Sequence, residues 1–163
     1  MWDACDFYPE EGIAKLSSMS LIKVGDNHEL RMHDQLRDLG REIVREEKWE
    51  EPQYRSRLWE SEKVLKVLKE NKGTEKIKAI YFNKVHHSHF DEPFENFEAE
   101  HFKKLTGLRF LDVSGACLRG DFENSMGKLK WLRWWHCPST FEANNFRLTE
   151  LVALDLSWST ISR

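Results

Sequence analysis

The feature that most restricts what this chain can fold into is a spaced set of apolar residues in its second half. Leu105, Leu108, Leu111 and Val113 follow the frame L-x-x-L-x-x-L-x-L. Leu129, Leu132, Trp135 and Cys137 occupy the same frame 24 residues later, and Leu148, Leu151, Leu154 and Leu156 follow after a further 19. Upstream, Ile77, Ile80 and Phe82 match Leu108, Leu111 and Val113 at an offset of 31, which allows for one insertion. A unit of this size supplies one short strand and a turn, too little to bury its own apolar side. Units stacked side by side solve the problem: alternate residues of each strand turn into a core shared with the neighbours.

Such a recurrence specifies a leucine-rich-repeat solenoid built on a parallel sheet. The last strand is expected to centre on Val152-Ala153-Leu154-Asp155-Leu156. The positions between the apolar ones belong to the exposed face, and Tyr81, Asp112, Trp134, His136 and Asp155 are the candidate protein-binding residues there. The plainer alternative is a solvated sheet face with no partner, since every such sheet has an outer side. Trp134 and His136 favour a contact surface, because exposed aromatic residues are enriched at interfaces.

The first 47 residues are organised differently. A helix is expected around Glu10–Ser18. Leu21-Ile22-Lys23-Val24 and Glu29-Leu30-Arg31-Met32 read as two strands, joined through Gly25-Asp26-Asn27, whose residues tolerate the positive φ of a hairpin loop. Met32, Leu36, Leu39 and Ile43 then recur at helical spacing, predicting a helix from about Asp34 to Arg45. His33 and Asp34 stand at its N-terminus, where unpaired N–H groups and the helix dipole favour an anion. A helix-capping histidine is the alternative. Residues 48–75 form a connector, with a helix from Ser61 to about Asn71 carrying Val64, Leu65, Val67 and Leu68, and a stop at Asn71-Lys72-Gly73.

Met32-His33-Asp34-Gln35-Leu36-Arg37-Asp38-Leu39-Gly40-Arg41-Glu42 resembles the Met-His-Asp motif that closes the nucleotide-binding (NB-ARC) module of plant intracellular immune receptors. The resemblance is narrower still, to the class with an N-terminal TIR domain followed by leucine-rich repeats. Trp2-Asp3-Ala4-Cys5-Asp6-Phe7-Tyr8-Pro9 and Arg55-Ser56-Arg57-Leu58-Trp59 carry it to either side. It implies an α/β chain in which a winged-helix remnant of helices and a β-hairpin, residues 1–47, precedes the connector and a short repeat solenoid over 76–163. It also implies that His33 contacts the β-phosphate of ADP in the full receptor while Asp34 stabilises the turn. ADP and ATP are then the switch ligands of the full receptor. The implied partner is a protein, either a pathogen effector or the receptor's own nucleotide-binding module. The implied location is the cytoplasm, or the cytoplasm and nucleus together.

Other functions are disfavoured by the residues themselves. A phosphate loop needs G-x-x-x-x-G-K-[ST]. The nearest approach, Gly115-Ala116-Cys117-Leu118-Arg119-Gly120, continues into Asp121-Phe122, so this chain alone is expected to hold no cofactor. His87, His89 and Asp91 could offer metal ligands, but His-rich tracts are compositional hints and a solvated loop is the expectation. Arg37, Arg41 and Arg45 form a stripe beside Asp38, Glu42 and Glu46, and residues 31–57 balance seven Arg/Lys against seven Asp/Glu. Intrahelical pairing explains that pattern better than DNA binding, which grows with net positive charge. The net charge of −3 and the absence of any apolar run near ~18 residues argue against nucleic-acid and membrane partners. The three cysteines, Cys5, Cys117 and Cys137, lack metal-type spacing and are read as reduced thiols. No nucleophile elbow or zinc-type His-Glu-x-x-His is present, so no enzyme is expected. Both ends look abrupt, which favours a receptor fragment over two alternatives: a stand-alone repeat adaptor and a non-functional gene fragment.

Overall fold

The computed structural model describes residues 9–26, 29–84, 94–139 and 142–159. His87, His89 and Asp91, weighed above as metal ligands, lie outside these residues, as do Cys5 and the flanking match at 2–8. The chain divides into two compact units, 1–47 and 48–163.

In the first unit, helix α1 covers Pro9–Ser18 and is closed by Ser20 at φ 58°. Strands β1 (Ile22–Val24) and β2 (Leu30–Met32) pair antiparallel, with Ile22 opposite Met32 and Val24 opposite Leu30. The Gly25 N–H donates to the Glu29 carbonyl at 2.8 Å and closes the hairpin. Helix α2 runs Asp34–Glu47. Asp34–Arg37 pair at 3.0 Å and Asp38–Arg41 at 3.3 Å, and Glu42 pairs with Arg45, so the basic stripe is neutralised along its own helix. Ile22 and Val44 are buried, whereas Leu39 and Ile43 on the apolar stripe are 56% and 57% exposed.

The second unit opens with a 3₁₀ turn at Pro52–Tyr54, strand β3 (Arg57–Leu58) and helix α3 (Ser61–Lys69). Val64, Val67 and Leu68 form the buried face of α3. Asn71, at φ 52°, takes the left-handed position after the helix, ahead of Gly73. From there the chain passes alternately through two parallel sheets. β4 (Ala79–Asn83), β6 (Phe110–Ser114), β8 (Trp131–Trp135) and β10 (Ala153–Asp155) join β3 in a five-stranded sheet ordered β10-β8-β6-β4-β3. β5 (Glu95–Glu98), β7 (Ala116–Asp121) and β9 (Glu142–Asn144) form a three-stranded sheet ordered β5-β7-β9. Gly115, at φ 70°, makes the corner from β6 into β7, a backbone position that a side chain would strain.

The expected offset of 31 is the observed register: Ile80 lies beside Leu111 and Phe82 beside Val113. The offset falls from 31 at Asn83–Ser114 to 21 at Glu95–Ala116, so ten extra residues lie between Asn83 and Glu95. The expected offsets of 24 and 19 are corrected. Leu111 pairs with Leu132 and Val113 with Trp134, an offset of 21, and Leu132 pairs with Leu154, an offset of 22. The frame repeats every three residues within itself, so sliding it by three sets leucine on leucine almost as well. The strand pairing removes the ambiguity.

Between the sheets, Phe82 meets Phe97 edge-on at 5.1 Å and Phe97 meets Phe102 at 6.2 Å; Phe102 and Phe122 lie 5.8 Å apart. Phe122 and Phe146 stack at 4.5 Å, completing an aromatic spine between the sheets. Leu111, Val113, Leu118, Leu129 and Leu132 fill the rest of this core. The segments that lead into β4 and β6 approach closely at Gly107, where a Cβ would fall 2.1 Å from the Glu75 carbonyl oxygen. Gly107→Ala is therefore expected to cost roughly 1–3 kcal/mol, read as a lower midpoint in urea unfolding.

Candidate functional site

In the first unit His33 immediately precedes α2. Its carbonyl accepts the Leu36 and Arg37 N–H groups at 3.0 and 3.1 Å, and its Nδ1 accepts the Gln35 N–H at 3.3 Å. The imidazole thus caps the helix. A ring that accepts at Nδ1 keeps its proton on Nε2, and that donor is uncommitted among the described residues. His33 is exposed, so Nε2–H is available to an anion in front of the helix N-terminus. Asp34 is held by Arg37 in the first turn. Capping and phosphate contact therefore use different ring nitrogens and can coexist.

The Gly115–Gly120 stretch compared above with a phosphate loop spans the corner and most of β7 in the second unit. Its amides are engaged in sheet pairing with β5 and β9. Among the described residues, no group of His, Cys, Asp and Glu could hold a metal ion, and no helix is long and apolar enough to cross a membrane. Burial pushes the Cys137 thiol up to about 11, with Cys117 adding to the shift, and raises Cys117 as well. Both are free thiols held protonated.

The outer face of the five-stranded sheet brings three of the expected residues together. Tyr81, Asp112, Arg133 and Asp155 occupy one row across β4, β6, β8 and β10. Arg133 is ion-paired to Asp112 and stacks over the Trp135 ring at 4.7 Å. The hydrogen bond that Arg133 donates to Asp112 is the main reason that the guanidinium holds its proton more tightly than usual, despite partial burial. Asp155 accepts from Ser157 and from Trp135 Nε1, and these hydrogen bonds depress its pKa. Tyr81 Oη accepts from Asn83 Nδ2 at 3.3 Å.

Two expected residues do not join this face. Trp134 is 2% exposed and points into the core, where its Nε1 donates to the Ala116 carbonyl at 2.9 Å. The slide of three residues explains the correction: with Val113 opposite Trp134, the first tryptophan of the pair is the inner one and Trp135 the outer. His136 follows β8 in a left-handed turn at φ 54°, half-buried, and belongs to no strand.

The face also contains residues that the spacing argument missed. Arg57, Ala79, Phe110, Trp131 and Ala153 form the next outer row, and with Trp59, Tyr81, Asp112 and Arg133 several of them line a cavity of about 290 Å³. Had the offset of 21 been recognised, Trp131 and Arg133 would have aligned with Phe110 and Asp112. Arg55 was also missed. It is 1% exposed and donates to the carbonyls of Lys48 at 2.8 Å and Trp49 at 2.7 Å, and to Glu60 at 3.3 Å.

Residues 1–48 match a family model described as Disease resistance protein Roq1-like, winged-helix domain. Disease resistance protein RPP2A of Arabidopsis thaliana is 32% identical over 169 residues, covering 99% of this chain and 12% of that protein. Disease resistance protein RUN1 of Vitis rotundifolia is 32% identical over 191 residues, covering 99% of this chain and 14% of that protein. TMV resistance protein N of Nicotiana glutinosa is 26% identical over 180 residues, covering 96% of this chain and 15% of that protein. No solved structure is significantly similar to the chain. The chain spans 12–14% of the length of the first two relatives. A winged-helix match followed by similarity across the remaining residues makes the chain similar, over nearly its whole length, to a stretch of plant disease resistance proteins.

Proposed function

We propose that this chain is the part of a plant immune receptor that joins its nucleotide sensor to its recognition surface. Residues 1–47 act as the winged-helix end of the NB-ARC module, 48–75 as the connector, and 76–163 as the first leucine-rich repeats. The observation that carries the proposal is the cap geometry at His33, which leaves Nε2–H as a donor at a helix N-terminus inside the stretch matched as winged helix. In the full receptor this donor meets the β-phosphate of ADP and favours the closed state. Exchange for ATP releases it. The chain alone carries no phosphate loop, so the proposal assigns it no nucleotide of its own and no catalytic step. The parallel strands in register at 21 and 22 residues support the repeat assignment. Their outer row of Tyr81, Asp112 and Asp155 is the proposed protein-binding face, for an effector or for the receptor's own nucleotide-binding module. The site of action is the cytoplasm, or the cytoplasm and nucleus together.

The test is a graft. Residues 1–163 replace the aligned stretch of full-length Disease resistance protein RPP2A, with and without His33→Ala, and both versions are expressed in leaf tissue. The intact graft is expected to stay silent without a trigger, and His33→Ala to signal constitutively. Equal signalling from the two would contradict the role given to His33.

A further inference from the structure

The outer face has an electrical asymmetry that the row of Tyr81, Asp112 and Asp155 does not explain. At the strand starts, Lys78, Arg109 and Lys130 follow one another laterally. The Arg109 N–H donates to the Lys78 carbonyl at 2.9 Å, and the Lys130 N–H to the Arg109 carbonyl at 2.8 Å. Neighbouring strands are about 4.8 Å apart, so the three basic residues lie side by side at adjacent strand starts. Lys130 is answered by Glu150 at 3.1 Å. Lys78 Nζ finds only the Glu75 carbonyl, at 3.0 Å, and Arg109 makes no ion pair among the described residues. Arg57, at the head of the adjacent outer row, is exposed, and among the described residues its guanidinium has only the Ser56 hydroxyl, at 3.2 Å. The carboxylates of this face lie one row further along, where Asp112 is committed to Arg133 and Asp155 to Ser157 and Trp135.

Between Arg57 and that committed row lies the cavity of about 290 Å³, floored by Ala79, Phe110 and Trp131 and flanked by Trp59 and Tyr81. Half-buried aromatic rings around a recess of this size suit one large apolar side chain of a partner. A guanidinium without a counter-charge at its rim suits a carboxylate beside it. A polyphosphate fits less well, because Asp112 and Asp155 would face its continuing negative charge.

We infer that the outer face docks a polypeptide segment of a protein partner in which an aromatic residue is flanked by carboxylates. The aromatic ring enters the recess over Phe110 and Trp131, and a carboxylate pairs with Arg57, with Arg109 and Lys78 adding attraction from the edge. This deepens the proposed protein-binding role of the same face and rests on it. Charge complementarity of this kind selects partners and speeds encounter more than it adds affinity.

The experiment is an NMR titration of the isotopically labelled 163-residue chain with three capped heptapeptides: Gly-Ser-Asp-Phe-Asp-Ser-Gly, Gly-Ser-Lys-Phe-Lys-Ser-Gly and Gly-Ser-Asp-Ala-Asp-Ser-Gly. The acidic aromatic peptide is expected to shift the amides of β4, β6 and β8 and to bind roughly ten-fold tighter than the basic one. Arg57→Gln, at an exposed position, is expected to weaken it about two- to five-fold while leaving the circular-dichroism melt unchanged. Equal binding of the acidic and basic aromatic peptides would leave the protein-binding face standing and overturn the carboxylate preference. Equal binding of the alanine peptide, or competition by inorganic phosphate alone, would overturn the aromatic recess. Tighter binding of a single-stranded RNA oligonucleotide would replace a protein partner with a nucleic acid. No shift with any peptide would remove the protein-binding reading and this inference with it.

Discussion

Trp134→Ala is expected to destabilise the second unit by about 3–5 kcal/mol, the range for truncating a buried large aromatic. The side chain is 2% exposed, sits among the residues that join the two sheets, and spends its only donor on the Ala116 carbonyl. Its removal leaves a cavity at the centre of the stack and an acceptor with no partner, and neither can relax without moving β7 against β8. The neighbouring change Trp135→Ala should cost about 1 kcal/mol, because Trp135 lies outside, stacked on Arg133 and hydrogen-bonded to Asp155 at 3.1 Å. Stabilities of domains are about 5–15 kcal/mol, so the first change removes a large share and the second a small one. Urea unfolding of both variants checks the order. The reverse ranking would restore the 24-residue register, which puts Trp135 inside.

Arg55→Ala is expected to be comparably severe, about 3–5 kcal/mol, since it breaks a buried charged network by removing one side. The guanidinium is 1% exposed and holds the Lys48 and Trp49 carbonyls together with Glu60. Without it two carbonyls lose their donor inside the fold, and Glu60 loses the Arg55 side of an ion pair it also makes with Lys63, at 2.7 Å. Lysine cannot replace it, because a single ammonium does not reproduce three directed N–H contacts. Arg55→Lys should therefore recover only part of the loss. Hydrogen exchange at the amides of residues 48–60 gives the local readout: protection should collapse there before it changes in β6 and β8. Uniform loss across the second unit would mean that Arg55 supports the whole fold and not this segment in particular. If residues 48–75 couple sensor to repeats in a full receptor, Arg55 is the side chain that gives the segment a fixed shape.

Much of this was legible in the residues because it follows from short-range rules. The hairpin, the helix after His33 and its three Asp/Glu–Arg pairs depend on spacings of three or four residues, and the structure has each of them. The offset of 31 was legible because Ile77, Ile80 and Phe82 repeat the spacing of Leu108, Leu111 and Val113, with Tyr81 and Asn83 marking the outward positions. The middle register was not. A frame with an internal period of three tolerates a slide of three, and Trp134-Trp135 supplies an aromatic for either choice. The three-stranded sheet left little trace, since Glu95–Glu98 and Glu142–Asn144 each bury one side chain, Phe97 and Ala143. Arg55 was invisible for another reason: two of its three partners are backbone carbonyls, which carry no residue identity. At His33 the residue and its helix position could be read. The choice of ring nitrogen, which decides what the histidine can offer a phosphate, needed coordinates.

The most direct measurement is the ADP content of the purified RPP2A graft that carries this stretch, intact and with His33→Ala, by chromatography of the nucleotide released on denaturation. The intact graft should retain ADP at close to one per protein, and His33→Ala should lose most of it on dialysis, because the Nε2–H donor to the β-phosphate is gone. Equal retention by the two proteins, or an intact graft that never carries ADP, would contradict the claim that this stretch is the nucleotide-sensing end of a resistance receptor.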